Sequence, residues 1–270
     1  MSDFDAAGRT IAESLRRDPP ADLPPVPMMV TIGSNDAQHF INNMAFYTGD
    51  IVGLCRVRPE GNVLDIGSGC GRLALGFEHY LAPSSEYVGF DVWDGGIAWC
   101  RDTITARRPN FRFHAVAARD NYYFEDARNA VGNSFDLSFL PDARFDAAFA
   151  LSVFTHLTRP DARQYLHMLA RVLKPGGFGY LTFFVIDEAF HRFVEETGQH
   201  RALKEEEPGV WHAYARQHFF AGFSRDCVEE MVAEAGLRTV HTEPGLWAQK
   251  PGARIYQDLF LVQKPAPKAT

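Results

Sequence analysis

The sequence predicts an α/β fold in which short buried strands alternate with helices. Apolar runs of strand length recur along the chain, and most are followed by a stretch whose apolar residues have helical spacing. The first run, Val63–Ile66, breaks into alternating glycines, and the second ends in a carboxylate, Asp91. This alternation is typical of a parallel sheet that binds a ligand at the carboxyl ends of its strands.

The composition supports one main domain and a small-molecule partner. The chain of 270 residues is 46% hydrophobic and 13% aromatic, which is enough for a single core with appended segments. Its net charge of -7 argues against DNA or RNA as a partner, because nucleic-acid binding depends on neutralising phosphates. We therefore expect a small substrate.

No feature of the sequence indicates secretion or membrane insertion. No apolar stretch approaches the roughly 20 residues of a membrane span, and residues 1–18 are charged throughout. The 4 cysteines are scattered without a C-x-x-C pair, which predicts reduced core thiols. These observations predict a soluble, cytoplasmic protein with no membrane partner.

The glycine-rich turn after the first strand is the strongest local signal. Gly67, Gly69 and Gly71 alternate behind Asp65, and residues 72–82 then carry a helical apolar pattern. Glycines give the backbone freedom and let a ligand approach closely. A helix N-terminus attracts an anion, which here is either a pyrophosphate or the carboxylate of an amino-acid-like ligand.

The spacing of these glycines weakens the dinucleotide interpretation. The fingerprint G-x-G-x-x-G requires glycine at position 72, where this chain has Arg72. An NAD(P)-dependent oxidoreductase stays open as an alternative class.

A carboxylate ends the second predicted strand, residues 86–91. Asp91 lies 20 positions after Gly71, where an acid is placed to accept hydrogen bonds from ribose hydroxyls. The alternative is that Asp91 caps the helix predicted over residues 95–108. A third strand is predicted over residues 110–116, which alternate cleanly.

A titratable group follows the fourth predicted strand, residues 145–152. Phe154, Thr155 and His156 lie just after it, at the edge where α/β sheets bind ligands. Thr158 and Asp161 form a capping box that opens a helix over residues 162–173. A Lys-Pro-Gly-Gly sequence at 174–177 ends this helix before a fifth strand, residues 178–186.

Taken together, the Asp65-to-Gly71 motif, Asp91, the Phe154-Thr155-His156 segment and the Leu-Lys-Pro-Gly-Gly sequence at 173–177 resemble class I S-adenosylmethionine-dependent methyltransferases. The resemblance covers about residues 60–185. It implies a Rossmann-like sheet of seven strands with helices on both faces. The predicted strands near residues 238–242 and 255–263 resemble the C-terminal antiparallel hairpin of that family.

The same resemblance implies S-adenosylmethionine as cofactor, with the glycine turn around its methionine half and Asp65 positioning the ammonium and the loop. The acid that often follows the third strand in that family is missing, so main-chain atoms of Val116 or Ala117, or Asp120, are the candidates for the adenine contact. The predicted cofactor-binding residues are Asp65, Gly67, Ser68, Gly69, Gly71, Asp91, Val92, Val116, Ala117, Leu151 and Ser152.

The N-terminal region reads as an arm, residues 1–30, in front of a single domain, residues 31–270. An amphipathic helix is predicted over residues 1–18, packing on the main domain or at an oligomer contact such as a homodimer. Ser34 or Asn35 is predicted to cap a second helix that reaches Leu54. The predicted substrate-pocket residues are His39, Tyr47, Phe154 and Trp211, with Asn43 and Phe46 as further candidates.

Two segments interrupt the α/β pattern. Residues 121–144 form an unusually aromatic loop, which covers the sheet or offers a stacking platform. Residues 187–222 are predicted to be a helical, lid-like insertion. Its acids and histidines could suggest a metal site, but they lack a compact ligand motif, so packing or surface roles are favoured and no metal is predicted.

The predicted reaction is in-line methyl transfer to a small molecule, most simply to a hydroxyl oxygen and next to nitrogen. His156 is the candidate general base, and the alternative is that it only holds the loop in place. A non-catalytic S-adenosylmethionine-binding protein is the third open class.

Overall fold

The computed structural model describes residues 3–116, 137–215 and 218–266. The chain divides into two compact units, whose described parts are residues 3–116 with 145–149, and residues 137–144 with 150–215 and 218–266. None of the helices in these described ranges is long and apolar enough to cross a membrane.

Helices and strands alternate through most of the chain. The helices are α1 Asp3–Arg17, α2 Val26–Thr31, α3 Ala37–Leu54, α4 Arg72–Glu78, α5 Asp94–Cys100, α6 Arg159–Val172, α7 Glu188–Thr197 and α8 Arg225–Glu234. The strands are β1 Val63–Ile66, β2 Tyr87–Asp91, β3 Phe111–Ala115, β4 Phe145–Ala150, β5 Leu173–Phe183, β6 Lys204–Glu207, β7 Val210–Ala215, β8 His218–Phe223, β9 Arg238–Glu243 and β10 Asp258–Gln263.

Seven of these strands form one sheet in the order β3-β2-β1-β4-β5-β10-β9. The β1–β2 and β2–β3 pairs are parallel, whereas β10 is antiparallel to both β5 and β9. The predicted seven-stranded α/β sheet with a C-terminal antiparallel hairpin is therefore confirmed.

An aromatic core fills the first unit. The rings of Tyr87 and Phe111 stack with centroids 4.7 Å apart, and those of Phe77 and Phe149 stack at 5.4 Å. All four side chains are fully buried. Large rings of this kind each bury about 150 to 250 Å² and fix the strands relative to α4.

The N-cap of helix α3 lies one residue after Asn35 and two residues after Ser34, the two predicted caps. Asp36 is its N-cap and accepts a hydrogen bond from the His39 N–H at 2.7 Å, so the prediction of Ser34 or Asn35 is wrong. Ser34 is fully buried instead. Ser, Asn and Asp are all preferred N-cap residues, so the sequence alone does not distinguish these three adjacent positions. The backbone conformation decides which of them is the cap.

The insertion after β5 is only partly helical. Helix α7 forms as predicted, but β6, β7 and β8 then make a separate antiparallel sheet. Pro208 and Gly209 turn the chain between β6 and β7, with Gly209 at φ +78°. The prediction of helix is therefore wrong for the part of the insertion that forms β6, β7 and β8. The Pro-Gly pair is a turn signal in the sequence, and it indicates a hairpin at this point.

A buried ion pair organises the second unit beside α7. The Lys250 ammonium donates to Asp258 Oδ1 at 2.8 Å and to the Val185 carbonyl oxygen at 2.7 Å, and it also lies 3.0 Å from Asp187 Oδ2. Asp258 Oδ2 accepts from the Trp247 indole N–H at 2.6 Å. Because both charges are paired and hydrogen-bonded, their burial is tolerated.

Candidate active site

The glycine turn adopts a backbone that side chains disfavour. Gly67, Gly69 and Gly71 have φ values of +76°, +54° and +77°, in the left-handed region. A Cβ at Gly69 would also lie 2.9 Å from Ile32 Cγ2, which is closer than real contacts allow. Gly67 is exposed while Ile66 and Ser68 are buried, so its backbone forms an open face of the turn.

The amides of this turn are already used within the protein. The N–H groups of Gly67 and Ser68 both donate to the Phe90 carbonyl oxygen, at 2.9 and 3.0 Å, and the Gly71 N–H donates to the Ser68 carbonyl oxygen at 2.9 Å. These three amides are therefore not available to a ligand, and the turn contributes mainly its open shape. A bound diphosphate, by contrast, needs free amide donors.

Asp91 holds the turn from the end of β2. Its Oδ2 accepts from the Gly69 N–H at 2.7 Å, and its Oδ1 accepts from the Trp93 N–H at 2.9 Å. Burial raises the pKa of this carboxyl, and the amide donors oppose that rise. Trp93, the N-cap of α5, has no side-chain capping bond, so the alternative of Asp91 as the cap of that helix does not describe this geometry.

Asp65 is buried beneath the turn. It is 3% exposed, and its Oδ2 accepts from the Tyr87 hydroxyl at 2.5 Å. Desolvation raises the pKa of the Asp65 carboxyl to about 7, although the Tyr87 hydrogen bond lowers it. Asp65 therefore anchors the turn to β2 from inside.

A buried hydroxyl in the turn has no protein partner. Ser68 is 5% exposed, and its Oγ forms no hydrogen bond with the residues that the structure describes. An unsatisfied buried hydroxyl costs free energy unless a ligand or water pairs with it. Together with the open Gly67 backbone, it fits a bound ligand at this turn.

The segment after β4, in the second unit, contains a strained residue. Ser152 is not glycine but has φ +59°, and its N–H donates to Thr182 Oγ1 at 2.9 Å. The Thr182 hydroxyl in turn donates to Gln257 Oε1 at 2.6 Å, and both of these side chains are buried. Backbone strain held by buried polar groups is common at functional sites.

The residues between β1 and β5 match a known family. Residues 64–181 match the profile of the family described as "Methyltransferase domain". These residues form a class I S-adenosylmethionine-dependent methyltransferase domain. The match begins one residue before Asp65 and runs into β5, so it includes the glycine turn, Asp91 and the segment after β4.

Solved structures share the fold of this methyltransferase. The Pyrococcus horikoshii protein PH0226 is 18% identical with a TM-score of 0.57, over 86% of this chain and 93% of that one. The Burkholderia thailandensis 1,6-didemethyltoxoflavin-N1-methyltransferase, solved with 1,6-didemethyltoxoflavin and S-adenosylhomocysteine, is 17% identical with a TM-score of 0.53, over 98% and 91%. The 4+2 cyclase SpnF is 16% identical with a TM-score of 0.55, over 98% and 97%.

The predicted adenine contact of the methyltransferase is only partly described. The Val116 N–H donates to the Asp91 carbonyl oxygen at 3.0 Å, so this amide is already used. The Val116 carbonyl oxygen remains as a candidate. Ala117, Asp120 and most of the predicted aromatic loop lie outside the described residues.

Two predicted pocket residues of the methyltransferase lie on α3. His39 Nδ1 accepts from the Asn35 N–H at 3.2 Å, and its Nε2 lies 3.0 Å from Asn43 Nδ2. Tyr47 is partly buried, and its ring meets that of Phe46 edge-on at 5.2 Å. Both candidates are thus held by neighbouring side chains.

The other predicted pocket residues lie in the second unit. Phe154 is 1% exposed, and its ring is 4.6 Å from that of Phe183, which places it in the core rather than in a pocket. His156 is partly buried with its ring 5.2 Å from that of Phe220. Trp211 packs against an aromatic cluster of the insertion that includes Phe190.

The acids and histidines of the insertion do not gather around a common point. Within the described ranges, no group of three potential metal ligands lies together. Asp187 caps α7 by accepting from the Phe190 N–H at 2.9 Å, in addition to its contact with Lys250. The 4 cysteines are free and buried, as predicted.

Several residues of this site were missed at the sequence level. Tyr87 has no motif signal, because it is an ordinary strand residue until its hydroxyl meets Asp65. Thr182 and Gln257 are 75 positions apart and meet only in the fold. Arg72 did carry a signal, since it stands where the dinucleotide fingerprint has glycine, but its contact with the Ile32 carbonyl oxygen, 40 positions away, appears only in the fold.

Proposed function

We propose that this methyltransferase transfers the methyl group of S-adenosylmethionine to a hydroxyl oxygen of a small molecule. The observation that carries the cofactor assignment is the left-handed glycine turn held by Asp91, with an exposed Gly67 backbone and internally bonded amides. Such a turn suits the close approach of a nucleoside and amino-acid chain better than a diphosphate.

The residue roles follow from this placement. Gly67, Ser68, Gly69 and Gly71 surround the methionine half, and Asp65 positions the turn from inside. Asp91 accepts from the ribose hydroxyls through the lone pairs that its backbone amide donors leave available. Val92, Val116 and Ala117 are proposed for the adenine side, and Leu151 and Ser152 for the remaining cofactor contacts.

S-adenosylmethionine supplies an activated methyl group, so the protein mainly has to align the acceptor with the S–CH₃ bond. Alignment alone contributes about 7 to 11 kcal/mol in favourable intramolecular cases. His156 accepts the proton of the acceptor hydroxyl as the oxygen–carbon bond forms and the carbon–sulfur bond breaks, and S-adenosylhomocysteine leaves. General bases of this kind contribute about 10² to 10⁴-fold in rate.

The location of His156 supports this role. It ends a single 3₁₀ turn, Phe154–His156, whose first two residues are buried, so the backbone that carries the imidazole is fixed. The imidazole ring also packs against the Phe220 ring, with the two ring centroids 5.2 Å apart. A fixed but partly exposed histidine is suited to a proton-transfer role at neutral pH.

The test uses S-adenosylmethionine with paired acceptors that differ only in a hydroxyl or an amino group, such as phenols and anilines. We expect S-adenosylhomocysteine formation and a product mass gain of one methyl group with hydroxyl acceptors. Methylation of the amines alone would overturn the oxygen assignment, and cofactor binding without any turnover would favour a non-catalytic binding protein.

The role of His156 is tested separately with His156→Ala. We expect a loss of about 10² to 10⁴-fold in kcat, together with loss of the acidic limb of the pH–rate profile, because a general base is inactive when it is protonated. His79→Ala is the matched control, because His79 is exposed at the end of α4. An unchanged rate and pH profile in His156→Ala would show that this residue only supports the loop.

A further inference from the structure

Ser152 turns the chain after β4 in a conformation that its side chain disfavours. Its φ of +59° lies in the left-handed region, where the Cβ atom of an L-residue crowds the following carbonyl oxygen. Serine does not visit this region routinely, whereas glycine adopts it without a penalty. The conformation therefore persists because a group outside this residue holds it.

The Thr182 hydroxyl on β5 is that group. Its oxygen accepts a hydrogen bond from the Ser152 N–H at 2.9 Å, and its proton is donated to Gln257 Oε1 at 2.6 Å. The Ala150 carbonyl oxygen, at 3.4 Å, is the weaker alternative acceptor. Because Thr182 and Gln257 are only 2% and 7% exposed, these hydrogen bonds are shielded from water. Gln257 thus fixes the direction of the hydroxyl and leaves a lone pair for the Ser152 N–H.

A short segment of fixed backbone connects Ser152 to His156. The His156 N–H donates to the Val153 carbonyl oxygen at 2.9 Å, which closes the 3₁₀ turn. The first residue of that turn, Phe154, is held by its ring, which lies 4.6 Å from the ring of Phe183. Phe183 also belongs to β5, so the same strand holds the segment at Ser152 and at Phe154. A change of φ at Ser152 would therefore move the imidazole of His156.

We propose that Thr182 holds Ser152 in the left-handed conformation and thereby positions the imidazole of His156. Gln257 assists by orienting the Thr182 hydroxyl. The effect on rate rests on the proposed function, because it takes His156 as the base, whereas the effect on geometry stands without that assignment. Since misplacing a reacting group by about 1 Å can cost about 100-fold in rate, a positioning residue that never touches the acceptor can control kcat.

The effect on geometry is tested by nuclear magnetic resonance on protein with labelled histidines. The Cε1–H signal of His156 is assigned by its absence in His156→Ala, and its position depends on the ring current of the neighbouring Phe220. We expect Thr182→Val to move this signal, because the segment leaves its wild-type position when the hydrogen bond is lost. Thr182→Ser keeps the hydroxyl, and we expect it to restore the wild-type signal.

Thr239→Val is the matched control. Thr239 belongs to the same unit, and its hydroxyl donates to Glu229 Oε2 at 2.6 Å, so this substitution also removes one hydrogen bond from a strand. We expect it to leave the His156 signal and kcat unchanged. Urea unfolding of each variant verifies that it folds and separates a loss of stability from a movement of the imidazole.

A glycine at position 152 tests the strain directly. Glycine adopts a φ of +59° without a clash, so Ser152→Gly removes the need for the hydrogen bond from Thr182. We expect Thr182→Val to move the His156 signal less in the Ser152→Gly background than in the wild-type background. An equal or larger movement in the glycine background would overturn the inference, because Thr182 would then act on His156 by another route.

The effect on rate is measured with a phenol that the wild-type protein methylates. We expect Thr182→Val to lower kcat by up to about 100-fold and Thr182→Ser to recover most of it. A moved His156 signal with an unchanged kcat would overturn the role of Thr182 in the reaction.

An unmoved His156 signal in Thr182→Val would overturn the inference as a whole. If Thr182→Val does not fold, Gln257→Met decides instead: movement of the signal supports the inference, and a wild-type signal overturns it. A wild-type protein without turnover, whose His156 signal still moves in Thr182→Val, would overturn the proposed function and support the positioning by Thr182.

Discussion

A carboxyl group buried under the glycine turn makes stability depend on pH. The pKa of Asp65 is raised by desolvation to about 7, whereas an aspartate in an unfolded chain titrates near about 3.9. The folded protein thus holds this proton more tightly than the unfolded chain does. The contribution of Asp65 to stability is full below about pH 4 and is lost as the pH rises through about 7.

We therefore expect the free energy of unfolding of Asp65→Asn to fall less than that of the wild-type protein as the pH rises from about 5 to about 8. Urea unfolding across this range measures the slope. Some slope should remain, because the pKa of Asp91 is raised as well. Asp94→Asn is the control, since Asp94 is exposed, and an Asp65→Asn slope equal to that of wild type would contradict the assignment.

At the scale of elements, the N-terminal helix packs on α3 through glycines. A Cβ at Gly49 would lie 2.4 Å from the Gly8 carbonyl oxygen and 2.9 Å from Ala12 Cβ. At Gly53, one turn later on α3, the nearest atoms to such a Cβ are 3.7 and 3.8 Å away. The two helices can approach this closely only because the contact positions lack side chains.

We expect Gly49→Ala to destabilise the protein by about 1 to 3 kcal/mol, because α1 must shift away from α3. Gly53→Ala is the matched variant, and we expect it to be neutral or to stabilise by up to about 1 kcal/mol through helix propensity. Urea midpoints measure both. Similar effects of the two substitutions would show that α1 does not depend on this close contact.

At the scale of the whole molecule, ligand linkage separates the two cofactor classes. A ligand at 100 times its Kd adds about 2.7 kcal/mol of stability, which corresponds to a rise of roughly 5 to 10 °C in Tm for a chain of this size. We expect S-adenosylhomocysteine to produce this rise and NADH to leave Tm unchanged. Stabilisation by NADH alone would overturn the placement of S-adenosylmethionine at the turn.

Patterns that depend on neighbouring residues were readable without coordinates. The alternating glycines and the capping box of Thr158 with Asp161 are each set by a few consecutive residues, and the structure has the Thr158 cap where expected. The seven-stranded sheet followed from the family resemblance and from the rhythm of strands and helices. The division into an arm, residues 1–30, and a domain, residues 31–270, stays a prediction.

Local rules failed where two signals competed within a few residues. The cap of α3 is Asp36 and not its polar neighbours, and the Pro208-Gly209 turn converts an apparently helical insertion into a small sheet. Phe154 was predicted as a pocket residue from its position after β4, but its ring is buried against Phe183. Burial depends on which face the backbone turns inward, which spacing alone does not give.

The sequence by itself determined the fold class, the glycine turn and the carboxylates before and after it, because each is encoded in contiguous residues with a clear periodicity. Only the tertiary structure decided what these groups do to one another. The Tyr87 hydroxyl on Asp65, the chain from Ser152 through Thr182 to Gln257, and the hydrogen bond from Arg72 Nη1 to the Ile32 carbonyl oxygen each join residues that are distant in sequence. Hydrogen bonding and charge compensation act over a few ångströms in space, whatever the separation along the chain.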